Sequence, residues 1–283
     1  MLAVKPLRPT LALCAPVMVL ALSAGCGEAG SSAEPEPLNL ELKESGDTAS
    51  YSGAPREVPA GLARISLKND GKGPHDAQLI RVDGDHSDQE VLQAIGRAVE
   101  GGPIPGWLHP AGGVGTARPG QTATAVQSLE EGRHYILDSS SEDPSKGAQD
   151  TFEVSGGGDV EPPGAPATIT ASEYKFQTSG LKAGHNRVRF ENAGQEAHHI
   201  IMGPIKQGKT IDDVREFART EKGEDPLEGD EKFVGTAVLD GGTSQVVDLK
   251  LEKGKYAALC FISDRKGGPP HVAKGMVMEV NVQ

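Results

Sequence analysis

Apolar and polar residues alternate along Leu62 to Lys68 and again along Arg187 to Glu191, a period of two that predicts half-buried strands. Each strand runs into a similar turn. Asn69-Asp70-Gly71-Lys72-Gly73-Pro74-His75 aligns with Asn192-Ala193-Gly194-Gln195-Glu196-Ala197-His198. Further on, Leu129-Glu130-Glu131-Gly132-Arg133-His134-Tyr135 aligns with Leu251-Glu252-Lys253-Gly254-Lys255-Tyr256-Ala257. A helical period appears once in each copy. Ser87-Asp88-Gln89-Glu90 forms a capping box ahead of Val91, Leu92, Ile95 and Val99, and Thr210 caps a stripe of Ile211, Val214, Phe217 and Ala218. These stripes are read as helix faces packed on a sheet.

The chain is therefore an internal duplication. A spacer from Ser155-Gly156-Gly157-Gly158-Asp159 to Pro162-Pro163-Gly164-Ala165-Pro166 joins the copies, loose at its start and stiff at its end. The expected architecture is all-β: two tandem Greek-key β-sandwiches over residues 38–155 and 167–283, each with one short helical insertion.

The N-terminus carries different information. Lys5 and Arg8 precede an apolar stretch from Leu11 to Leu22, which ends in Leu22-Ser23-Ala24-Gly25-Cys26. Small residues before a cysteine resemble a lipoprotein signal box, so residues 1–25 are read as a signal peptide and Cys26 as the lipidated first residue. Residues 26–37, small and polar, would form the tether. Losing residues 1–25 removes two bases and no acid, so 26 Lys and Arg face 40 Asp and Glu, a net charge of −14. Nucleic acid is excluded as a natural partner. The expected contacts are a membrane through the anchor and a redox partner protein.

Cys260 is the one cysteine left after Cys14 and Cys26 are assigned to the export segment, so it has no partner for an intrachain disulfide. It is followed by His271 and Met276, a soft and imidazole donor series that suits mononuclear copper. Together with the Asn-x-Gly turn before His198, this order resembles the cupredoxins, the blue copper sandwiches. The resemblance implies one copper ion in the second copy, held by His198, Cys260, His271 and Met276. His199 replaces His198 if the strand register shifts by one. Gly267-Gly268-Pro269-Pro270 would turn the chain to present His271.

The first copy keeps His75 but has Asp138 where Cys260 would be, so it is expected to be metal-free, with His75 hydrogen-bonded in its turn. Its Trp107, Leu108 and His109 form either a docking surface or a loop plugged into the domain edge. No phosphate loop, nucleophile elbow or His-x-His pair is present, and the chain is read as a non-enzyme. The function implied is an extracytoplasmic, membrane-anchored type 1 copper protein for single-electron transfer or copper holding. The alternative is a metal-free surface module that binds a protein or small ligand, with Cys260 a buried hydrophobe.

Overall fold

The computed structural model describes residues 34–140 and 147–283. Glu34–Gln283 forms one unit. The first sandwich contains β1 (Glu36–Ser45), β2 (Thr48–Ser52), β3 (Glu57–Asn69), β4 (His75–Val82), α1 (Asp88–Val99), β5 (Leu108–Ala117), β6 (Thr122–Leu129), β7 (Gly132–Leu137) and β8 (Gln149–Gly157). The second contains β9 (Ala167–Ser172), β10 (Lys175–Ser179), β11 (Gly184–Asn192), β12 (Ile201–Pro204), α2 (Ile211–Thr220), β13 (Val234–Gly235), β14 (Ser244–Leu251), β15 (Gly254–Leu259) and β16 (Val277–Val282). No helix among the described residues is long and apolar enough to cross a membrane.

The two copies repeat one topology. β1 runs parallel to β3 and β9 runs parallel to β11, while β6 and β14 pair antiparallel with β3 and β11. The alternation seen in sequence places Ala63, Ile65 and Leu67 of β3, and Val188 and Phe190 of β11, in the core. Each large apolar side chain enclosed there contributes about 1.5–3 kcal/mol. β6 and β14 also pair with each other, antiparallel, matching Gln127 with Gln245, Val126 with Val246 and Ala125 with Val247. The same strand from each copy thus meets across a local two-fold axis, and one sheet runs through both sandwiches.

The Asn-x-Gly turns are built identically. Asn69 Nδ2 donates to Gly73 O and Ala117 O (2.8 and 2.7 Å), and its Oδ1 accepts from Gly71 N–H. Asn192 Nδ2 donates to Glu196 O and Leu239 O (2.8 and 3.0 Å), and its Oδ1 accepts from Gly194 N–H.

Both helices have the expected caps, Ser87 with Glu90 and Thr210 with Asp213. The α1 stripe is shifted from the sequence reading. Val91 and Ala94 are buried, whereas Leu92 is 37% and Val99 73% exposed. Leu92 lies 100° around the helix from Val91, so only one of them can face the sheet.

Candidate metal centre

The second copy brings three of the sequence-predicted side chains together. His198 is placed after the Asn192 turn, and its backbone exchanges hydrogen bonds with Leu239 (3.0 and 2.8 Å). Cys260 follows β15. The chain beyond it folds back through His271 N–H to Ile262 O (2.8 Å) and Val272 N–H to Cys260 O (2.7 Å). Pro270 starts a single 3-10 turn, His271–Lys274, and Gly275 ends it at φ 95°, where other residues are strained. Met276 comes next. It is fully enclosed, in the same apolar cluster as Cys260, and its N–H bonds His271 O at 2.9 Å.

His198 Nδ1, His271 Nδ1 and Cys260 Sγ form a triangle with sides of 3.1, 3.5 and 3.7 Å. Among the described residues they are the one such cluster of three or more potential ligands, and all three are buried. The point equidistant from the three atoms lies about 2 Å from each, against metal bonds of about 2.0 Å to imidazole nitrogen and about 2.3 Å to thiolate. A donor set of two imidazoles, one thiolate and a thioether suits copper in both oxidation states. The site fits a type 1 copper centre.

Neither family models nor curated proteins match this sequence. Solved structures do. The reduced auracyanin of the photosynthetic bacterium Roseiflexus castenholzii is similar at 23% identity over 41% of this chain and 94% of its own, with a TM-score of 0.27. A copper nitrite reductase from Nitrosomonas europaea is similar at 12% identity over 88% of this chain and 94% of its own (TM-score 0.28). A multicopper oxidase is similar at 16% over 87% and 88% (TM-score 0.24). The reading of the chain as a non-enzyme is corrected here, because the solved structures similar along both sandwiches include enzymes by name.

The histidine register is settled by direction. His199 points away from the triangle, and its Nε2 accepts from Phe261 N–H at 2.9 Å. Burial pushes the Cys260 thiol up to about 11, opposed by hydrogen bonds from the backbone N–H groups of His199 and Ile262. Burial, together with the neighbouring His271, lowers His198 to about 4, and burial also lowers His271. Both rings are therefore neutral at neutral pH, with lone pairs free for a cation.

In the first copy two carboxylates flank the corresponding histidine. His75 Nδ1 lies 2.8 Å from Asp138 Oδ2, and its Nε2 lies 2.8 Å from Glu44 Oε1. Burial opposes the charged ring, yet the two carboxylates raise its pKa overall.

Sequence reasoning missed the supports of the ligand loop. Asp264 Oδ1 lies 3.0 Å from His271 Nε2. The first sandwich braces the same loop, through Ile104 N–H to Arg265 O (2.8 Å) and Gly268 N–H to Gly101 O (2.9 Å). His109 bridges Asp240 and Asp83 (2.9 Å each), and Asp240 also pairs with Arg265. Trp107 stacks on His86 at 3.9 Å and packs beside Val91 of α1, while Leu108 and His109 open β5, with Leu108 buried. The charged pair Asp264-Arg265 between Cys260 and His271 was the signal available. Cys26 lies outside the described residues.

Asn192→Ala should expose how far the turn supports the site. It strands the amides and carbonyls that the buried side chain now satisfies, and a loss of about 3 kcal/mol is expected in urea unfolding of the metal-free chain. Weaker copper binding should accompany it.

Proposed function

We propose that this chain is an extracytoplasmic protein, anchored through lipidated Cys26, that holds one copper ion in its second sandwich and passes single electrons through it. The observation that carries the reading is the buried triangle of His198 Nδ1, His271 Nδ1 and Cys260 Sγ. These three are assigned as the strong ligands, and Met276 as the weak thioether ligand. Copper, when bound, supplies a one-electron couple.

The protein's part is to hold the donors still. His198 is fixed by the Asn192 turn and the Leu239 bridge, Cys260 by β15, and His271 by the 3-10 turn. Full enclosure of all four side chains excludes water. It also favours electron passage over exchange of the ion, because an enclosed ion leaves only when the loop opens. A redox partner is proposed as the source or sink of the electron.

A visible absorption titration with copper(II) of the chain lacking residues 1–25 tests the reading. An intense thiolate-to-copper band that saturates at one equivalent, and is absent in Cys260→Ser, is expected. Tight binding without the band, or no binding, would overturn it.

A further inference from the structure

The two imidazoles of the centre differ on their outer sides. His198 Nε2 is buried with no partner among the described residues, whereas His271 Nε2 meets a carboxylate, Asp264 Oδ1, at 3.0 Å. A neutral imidazole carries one N–H. Since the Asp264 carboxylate only accepts, the proton of His271 sits on Nε2 and is donated to it, leaving the Nδ1 lone pair toward Cys260 and His198.

Asp264 is itself pinned. Lys274 Nζ reaches its Oδ2 at 2.5 Å, and Tyr174 Oη donates to Oδ1 at 3.0 Å. The Tyr174 ring stands edge-on to His271, with centroids 5.2 Å apart and planes at 74°. Tyr174 reaches this position from the β9–β10 turn at φ 59°, a backbone conformation that costs a non-glycine residue about 1 kcal/mol or more. In the two-residue β1–β2 turn the positive φ falls one place earlier, at Gly46 (φ 68°). In the second sandwich a strained residue is tolerated where its side chain closes over a ligand histidine and its carboxylate.

We propose that Asp264 is a positioning residue for the copper centre, an inference that rests on the copper reading above. Its carboxylate, held by Lys274 and Tyr174, fixes His271 in the Nε2–H tautomer with the Nδ1 lone pair directed at the ion. By drawing on the Nε2 proton, the anion makes Nδ1 a stronger donor and so favours copper(II) over copper(I).

Two measurements on the chain lacking residues 1–25 test it. Nitrogen-15 NMR of the metal-free protein should show a single Nε2–H tautomer for His271 in the parent and a mixture in Asp264→Ala. A mixture in the parent overturns the proposal. In the copper-loaded protein, Asp264→Asn should shift the ratio of copper(II) to copper(I) affinity about tenfold toward copper(I), equivalent to ~59 mV for one electron. Lys274→Met, which removes a cation from the same carboxylate, should shift it the other way. Asp264→Glu, which keeps the charge, should stay near the parent value. An unchanged potential in both the Asn and Met variants also overturns the proposal. Absence of the thiolate band in the parent instead sinks the copper reading, and the tautomer measurement still decides the role of Asp264.

Discussion

Copper(II) should bind about tenfold more tightly for each unit of pH from roughly pH 7 to pH 10, a range of about 10³ in apparent affinity. The slope follows from the proton inventory of the enclosed donors. Burial holds the Cys260 thiol at about 11, so it is protonated throughout that range and must release its proton to ligate. His198, lowered to about 4 by burial and by His271, has already lost its proton, and His271 is lowered too. One proton therefore leaves per ion bound. Below about pH 4, His198 adds a second proton and the slope steepens; above about pH 11 it flattens. Competition with a chelator of known pH dependence, at three pH values, measures the slope, and proton release in weakly buffered solution counts the proton directly. Affinity that does not change with pH would mean that the thiol is already ionised in the metal-free chain.

The metal-free protein should lose stability as pH falls from about 6.5 to 4, and His134 supplies one proton's worth of that loss. Its ring is fully enclosed in the first sandwich, stacked on Phe152 at 5.2 Å. Nδ1 lies 3.1 Å from Gly132 O, and Nε2 has no partner among the described residues. Burial is the largest cause of its depressed pKa, about 4 against an ordinary 6.5. A histidine whose folded value lies below its unfolded value stays neutral in the fold while the unfolded chain takes up the proton. Its contribution is thus complete above 6.5, shrinks through the window, and is exhausted below about 4. The size is about 3 kcal/mol across the window, at 1.36 kcal/mol per pH unit. His75 acts with the opposite sign, since its raised value favours the fold at low pH and is lost as pH rises. Urea unfolding at pH 7, 5.5 and 4.5 should show a shallower acid loss in His134→Leu than in the parent. Parallel curves for the two proteins would show that the folded pKa of His134 is not depressed.

What could be read along the chain was local or periodic. The duplication, the paired Asn-x-Gly turns, both capping boxes and the order of the donors Cys260, His271 and Met276 all lie within short segments, where hydrogen bonds close over three to five residues. The same locality placed His75 and Asp138 opposite His198 and Cys260, because the alignment of two copies carries one position onto another. The α1 stripe was misread because Leu92 and Val91 are both apolar, and only the packed sheet chooses between them.

Direction and convergence needed the tertiary structure. His198 and His199 differ by one strand position, and only the accepted Phe261 N–H shows which ring turns away from the triangle. His198 meets Cys260 across 62 positions of sequence, a closeness set by how β12 lies against β15. Tyr174 reaches Asp264 across 90 positions, and the first sandwich braces the ligand loop through Ile104 and Gly101. The pairing of β6 with β14 was not read from the sequence, although each strand departs from alternation at the seam and buries three successive residues, Ala125 to Gln127 and Gln245 to Val247. Residue order alone determined the donors of the centre and the frame that carries them. The packing of distant segments, whose hydrogen-bond partners have no fixed spacing along the chain, decided which way the donors point and what stands behind them.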